Sequence, residues 1–238
     1  ALEQHFATMP TPKMPDLDRP QAILVTGIGG TGVVTIGAIL AMAAHIEGKG
    51  ATTMDQTGLA QKGGAVTSHI RIARTPDDIS TVRIGVAGAD AIIAADMLVT
   101  ADGDTLSKIR PASAAGDIGT TRVFLNTHRA QTGEFTKKPD WRIPVDTVFG
   151  QIARSCGNEN LDLVDATRLA TRLMGDSIAT NMFMLGYAWQ KGAIPIGEDA
   201  ILSAISLNGA AIKMNQNAFL WGRRAAYDLV KVMETVAA

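Results

Sequence analysis

Cysteine is almost absent: Cys156 is the only one in 238 residues. That excludes a disulfide framework within the chain and fits a cytoplasmic setting. It also excludes a four-cysteine iron–sulfur or zinc site built by this chain alone. Aromatic residues are scarce at 5%, whereas hydrophobic residues reach 46%, carried by Ala, Val, Ile, Leu and ten Met. Such a balance suits a helix-covered α/β core rather than an aromatic-rich β-sandwich. An excess of one charge is missing too: 22 basic residues stand against 23 acidic ones, with no basic block. Nucleic acid and anionic membranes are therefore not expected as partners. The first residues carry Glu3 and Lys13 and lack an apolar core, so no signal peptide is read. The chain begins at Ala1 rather than Met, and a trimmed or excised piece of a longer protein is one expectation.

Between Pro20 and Ile46 there is no Asp, Glu, Lys or Arg. A membrane-spanning helix needs about 20 residues of uninterrupted helix, and Gly27, Gly29, Gly30 and Gly32 break this run near its start. A buried strand followed by a buried helix is the better account, and no membrane span is expected. The strand is read over Ile23–Thr26, the tight turn over Gly27-Ile28-Gly29-Gly30-Thr31-Gly32, and the helix behind it, where Val33, Ile36, Gly37, Leu40 and Ala44 recur at helical spacing. Without Cβ atoms the turn can adopt positive φ and let a ligand come close to the backbone. Free N–H groups at a helix start, with the positive end of its dipole, favour an anion such as a phosphate. The spacing fits G-x-G-x-x-G, and Asp55 lies near the distance at which a dinucleotide fold places its ribose-binding acid. Glycines present only for close helix–sheet packing are an equally simple explanation.

Further along, residues 1–20 hold four of the nine prolines and are read as an extended lead-in or linker. A second strand is expected at Ala51–Asp55, then a polar loop, Gln56 to Gly64, then a third strand at Ala65–Ile72. Gln61-Lys62-Gly63-Gly64 could set one charge beside a phosphate or carboxylate; a solvated lysine in a turn is the plainer reading. Later strands are expected at Ala91–Ala95, Thr121–Leu125 and Leu161–Val164, with helices at Asp104–Ile109 and Thr147–Ser155. From Asp165 the chain turns helical, with Asp165 and Asp176 as N-caps, an Ile178/Met182/Leu185/Trp189 stripe, a helix over Asp199–Leu207 and one long helix over Ala210–Val236. Strands alternating with helices to about residue 165 predict a three-layer α/β/α domain over residues 21–238, with a largely parallel or mixed sheet and a helical C-terminal part. If the strands run parallel, the loops at 27–32, 55–64 and 126–128 share the edge where such sheets bind ligands. Asp102-Gly103-Asp104, a faint thiamine-motif likeness, is read as a loop and helix cap. His5, His45, His69 and His128 are each read as structural or solvent-exposed, and no catalytic constellation stands out.

Thr26 to Thr35, Glu47-Gly48, Thr57 to Val66 and Asn126-Thr127-His128, in that order, resemble the 2-oxoacid:ferredoxin oxidoreductase superfamily. The likeness is to its γ-type domain in the indolepyruvate branch, and Leu207-Asn208-Gly209, Asn215 and Ala218 to Arg223 resemble the long, fused form. The resemblance spans roughly residues 20 to 225 and implies a Rossmann-like fold. It implies an enzyme that decarboxylates an aryl or branched 2-oxoacid, makes acyl-coenzyme A and CO2, and reduces ferredoxin. Thiamine diphosphate with Mg and [4Fe-4S] clusters would be held by other domains or subunits of an oligomer, so this chain would not be active alone. Gly27, Gly29, Gly30, Thr31 and Gly32 would then accept phosphates, with coenzyme A in view. Gln61, Lys62, Gly63 and Gly64 would face the thiamine-bearing neighbour, and Asn126 would close the same edge. Two alternatives remain from the residues: an NAD-dependent dehydrogenase, and a non-catalytic assembly module.

Overall fold

The computed structural model describes residues 2–58, 64–128 and 145–237. Among the described residues, six strands form one mixed sheet in the order β2-β3-β1-β4-β5-β6. They are β1 (Gln21–Ile28), β2 (Gly50–Thr57), β3 (Ala65–Ala73), β4 (Ala91–Ala94), β5 (Arg122–Asn126) and β6 (Leu161–Val164). β1, β4, β5 and β6 run parallel, whereas β3 is antiparallel to both β1 and β2. β2 therefore points the same way as β1, and the ends of β1, β2 and β5 meet on one edge even though the sheet is mixed.

The strands sort their side chains by the period of two. Ile23 and Val25 enter one core, while Ala22 and Leu24 enter the other. The first core lies under α2 (Val33–Ile46) and a helical layer made of α6 (Ala166–Met174), α7 (Thr180–Gln190), α8 (Glu198–Asn208) and α9 (Ile212–Tyr227). The second is covered by α3 (Met97–Thr100), the following α4 (Gly103–Ser107), α5 (Val145–Cys156) and the loop bearing Ile84. The buried face expected of α2 is the one observed: Val33, Ile36, Gly37, Leu40 and Ala44 are all buried. Asp102 caps α4 by accepting from Asp104 N–H at 2.9 Å.

Several expectations need correction. Residues 2–7 are not extended but form α1 (Leu2–Ala7), whose Phe6 is buried against Trp221 and Tyr227. Glu3 pairs with Arg224 at 2.6 Å, so tertiary contacts hold a short helix that its own length would not. The long C-terminal helix is two helices, α9 and α10 (Leu229–Ala237). Asp228 breaks it in a non-helical conformation, where its carboxylate accepts the Lys231 N–H at 2.9 Å and meets His5 Nε2 at 2.9 Å. The stripe expected on α7 is too narrow: every residue from Thr180 to Trp189 is buried, and Ile178 lies exposed before the helix starts. A helix apolar all round is a core helix.

Gly186 on α7 and Gly222 on α9 explain how that core helix packs. A Cβ on Gly186 would lie 1.9 Å from the Phe219 carbonyl oxygen, and one on Gly222 would lie 1.9 Å from that of Phe183. The two backbones touch directly. Among the described residues, no helix is long and apolar enough to cross a membrane.

Candidate functional site

Gly27 belongs to β1 rather than to the turn: it pairs with Val66, and a Cβ there would sit 2.5 Å from Val33 Cγ2. It is a packing glycine, as is Gly37, whose Cβ would meet Ser68 Oγ at 2.7 Å. Gly30 and Gly32 have the other role, with φ of 87° and 89°, a region that side-chain-bearing residues rarely enter. Gly29 is spoken for, because its N–H donates to the Gly64 carbonyl at 2.8 Å. That bond ties the glycine turn to the foot of the β2–β3 connection, whose ends also close through Gly58 N–H to Ala65 O at 2.8 Å. Gln61, Lys62 and Gly63 lie outside the described residues.

Beside the turn, at the carboxyl edge of β1, β4 and β5, is a pocket of about 270 Å³ lined by Ile28, Thr31, Asp96, Asn126, His128 and the start of α7, among others. Among the described residues, four helical segments begin around it. Three are capped by their own aspartates: Asp96 accepts from Val99 N–H (2.9 Å) at α3, Asp165 from Arg168 N–H (3.2 Å) at α6, and Asp176 from Ile178 N–H (2.9 Å) at the turn leading into α7. α2, which starts after Gly32, has no side-chain cap. Among the described residues, the N–H groups of Gly30, Gly32 and Val33 have no hydrogen-bond partner. Orphan N–H groups at the positive end of a 14-residue helix favour an anion.

Asn126 is at the pocket but its side chain is consumed. Its amide donates to Ala95 O (3.0 Å) and Thr167 Oγ1 (2.9 Å), and its carbonyl accepts from the N–H groups of His128, Ala166 and Thr167. It organises the edge, and the polar surface offered to a ligand comes from Thr31, Asp96, Thr180 and Asn181. Of these, the sequence pointed to Thr31 and gave no sign of Asp96, Thr180 or Asn181 at this site. Asp176 as an N-cap was legible, but not that the following helix meets the glycine turn. Asn181 Nδ2 donates to the Thr31 carbonyl, and a Cβ on Gly32 would come within 3.2 Å of that nitrogen. His128 Nδ1 stands 3.5 Å from Asp165.

Asp55 is not placed for a ribose. In a dinucleotide fold the second strand lies parallel beside the first. Here the antiparallel β3 separates them, and Asp55 is exposed on the edge strand β2. His69, expected to be structural or exposed, is fully buried. Its Nδ1 accepts the Ile84 N–H at 3.1 Å, so its Nε2 donates to Gln56 Oε1 at 3.0 Å. Burial, helped by Lys108 and Arg83, lowers its pKa to about 4. Cys156 is buried in α5, and burial pushes its thiol up to about 11.

These features define a three-layer α/β protein with a polar pocket at the carboxyl edge of a mixed sheet, the place where open α/β sheets meet ligands. Residues 22–225 match the pyruvate ferredoxin/flavodoxin oxidoreductase family, and the chain belongs to it as a γ-type subunit or domain of a 2-oxoacid ferredoxin oxidoreductase. It is 29% identical over 217 residues to the indolepyruvate oxidoreductase subunit IorB of Archaeoglobus fulgidus, covering 86% of this chain and 98% of that protein. It is 28% identical to the pyruvate/ketoisovalerate oxidoreductases common subunit gamma of Pyrococcus furiosus, covering 87% and 96%. The fold is shared with the keto/oxoacid ferredoxin oxidoreductase gamma subunit of Geobacter sulfurreducens (TM-score 0.56, 20% identity, 87% of this chain and 98% of that one). It is shared also with a 2-oxoglutarate:ferredoxin oxidoreductase of Magnetococcus marinus solved with 2-oxoglutarate, coenzyme A and succinyl-CoA (TM-score 0.63, 17% identity, 90% of this chain and 32% of that one).

Proposed function

We propose that this chain is the γ-type part of an indolepyruvate-type, thiamine-diphosphate-dependent enzyme that converts an aryl or branched 2-oxoacid to acyl-coenzyme A and CO2 and reduces ferredoxin. It works within a cytoplasmic oligomer and is inactive by itself. Its share is to receive phosphates of coenzyme A at the start of α2 and to present the 61–64 loop to the thiamine-bearing subunit. Among the described residues, four helical starts surround the pocket and three carry their own carboxylate; the uncapped one is α2, and that observation carries the reading. Thiamine diphosphate, when bound in the complex, supplies carbanion stabilisation after CO2 departs. Its Mg and the [4Fe-4S] clusters are assigned to other subunits, because one buried thiol with a raised pKa is a poor donor set for a cluster.

Coenzyme A titration of the assembled complex tests this. Gly32→Ala forces a side chain into positive φ and toward Asn181. It should raise the KM for coenzyme A about tenfold, roughly the worth of one charge-assisted hydrogen bond. Lys62→Ala should lower turnover. Gly29→Ala, where a Cβ has ordinary room at 3.5 Å, should do little. Unchanged KM and turnover in both Gly32→Ala and Lys62→Ala would remove both assignments. If Gly32→Ala lowers the complex's mass and leaves its kinetics intact, the chain is an assembly module. NAD binding by the chain would favour the dehydrogenase reading, which the misplaced Asp55 argues against.

A further inference from the structure

Local bonds hold the glycine turn at two points. Gly29 N–H is tied to the Gly64 carbonyl, and Thr31 closes on Ile28 O through its N–H at 3.2 Å and its hydroxyl at 2.7 Å. A further hold comes from far along the chain. Asn181 Nδ2 donates to the Thr31 carbonyl, and no other group among the described residues does. The orientation of that amide is forced, because its own oxygen in the same place would face another acceptor. Asn181 is also rigid. It is 3% exposed and lies in the first turn of α7, the helix buried along its length and locked to α9 where Gly186 and Gly222 let the backbones touch. Just before it, Thr180 Oγ1 donates to Ser177 O at 2.6 Å.

The Thr31 carbonyl stands outside α2, whose nearest free N–H, that of Thr35, bonds Gly32 O at 3.1 Å instead. Where this carbonyl points decides where the next N–H points. No peptide bond among the described residues is cis, and in a planar trans peptide the N–H is directed opposite to the carbonyl. With its oxygen on Asn181, the Thr31–Gly32 peptide turns Gly32 N–H away from α7, and that N–H has no partner among the described residues. Half a rotation of the peptide would exchange the two and set an oxygen where the donor stood. Glycine offers little resistance, since it takes either sign of φ about equally well, and Gly32 sits at φ 89°. The turn by itself thus permits two peptide orientations, one presenting a donor to a ligand and the other an acceptor.

We infer that Asn181 is a positioning residue for anion binding at the start of α2: its buried amide holds the Thr31–Gly32 peptide in the orientation that presents the N–H of Gly32. It acts through the turn and touches no reacting atom. The inference rests on the coenzyme A role proposed above.

The test is kinetic, in the assembled complex, with Asn181→Leu, Asn181→Asp and Gly32→Ala beside the parent. Leucine is close to asparagine in size and has no donor. The aspartate carboxylate would set an oxygen against Thr31 O and favour the rotated peptide further; being isosteric, Asn181→Asp carries the same comparison if Asn181→Leu fails to assemble. The KM for coenzyme A should rise about fivefold in Asn181→Leu, the worth of one hydrogen bond, and more in Asn181→Asp. Turnover at saturating coenzyme A should be kept, because the contact serves binding. Inorganic pyrophosphate, used as a competitor of coenzyme A, should inhibit more weakly by the same factor, which ties the loss to the anion. A residue that only tethers α7 would move thermal stability alone. If both Asn181 variants lower Tm and leave the KM and the pyrophosphate inhibition unchanged, while Gly32→Ala raises the KM, the inference is overturned and the coenzyme A reading stands. An unchanged KM in all three variants overturns both.

Discussion

Replacing Gly222 with Ala tests the packing on which the helical layer depends. The added Cβ would lie 1.9 Å from the Phe183 carbonyl oxygen, 2.8 Å from its carbon and 2.9 Å from Tyr187 N. All three are backbone atoms, so no side chain can rotate away. Ordinary contact begins near 3.4 Å, and the difference, 3.4 − 1.9, requires α7 and α9 to part by about 1.5 Å. That opens a seam closed by Phe183, Trp189 and Phe219, all fully buried. Overpacking costs typically about 1–3 kcal/mol, and backbone contact puts this case at about 3 or above. Ala returns about 1 kcal/mol of helix propensity, leaving a net loss of about 2 kcal/mol or more. For a chain of this size that is a fall in Tm of about 4–8 °C. Gly186→Ala, the reciprocal change against Phe219, should behave alike. Gly103→Ala, with nothing within 4 Å, is the control. Because α7 carries Thr180 and Asn181, the role proposed for the pocket predicts that the same shift weakens coenzyme A use in the complex. A Gly222→Ala melt within about 1 °C of the parent would refute the reasoning.

Three other outcomes are expected. Protonation of His69 opposes folding: its folded pKa of about 4 is below the ordinary 6.5, so the unfolded chain takes the proton first. Stability should then fall as pH drops from about 6.5 to about 4, by about 3 kcal/mol; denaturant midpoints measured against pH should lose that slope in His69→Leu, and an unaltered slope would reject the assignment. Cys156, with its thiol near 11, should resist iodoacetamide at pH 8 until the protein is unfolded, and alkylation of the native protein at the unfolded rate would contradict its burial. Asp90→Asn should cost about 3–5 kcal/mol, because it strands the buried Arg110 guanidinium that Asp90 holds at 2.8 Å; thermal unfolding checks it, and a loss under about 1 kcal/mol would show the pair is not needed.

Local signals decided what could be read without coordinates. The charge-free run, the glycine turn and the 3.6-residue spacing fixed β1 and α2, because periodicity and φ preference are properties of neighbouring residues. Asp165 and Asp176 announced helix starts for the same reason, through a carboxylate that accepts an N–H two or three residues on. The order of the glycine loops carried the family. What those loops do was another matter: four similar glycines divided into packing at Gly27, a backbone tie at Gly29 and turn geometry at Gly30 and Gly32. Only the neighbour that each would meet separates them. The antiparallel β3 that displaces Asp55, the break at Asp228 and the meeting of Asn181 with Thr31 all join residues far apart in the chain. Sequence spacing is silent about such contacts, since they are chosen by which faces must be buried together, and that choice is made by the whole fold at once.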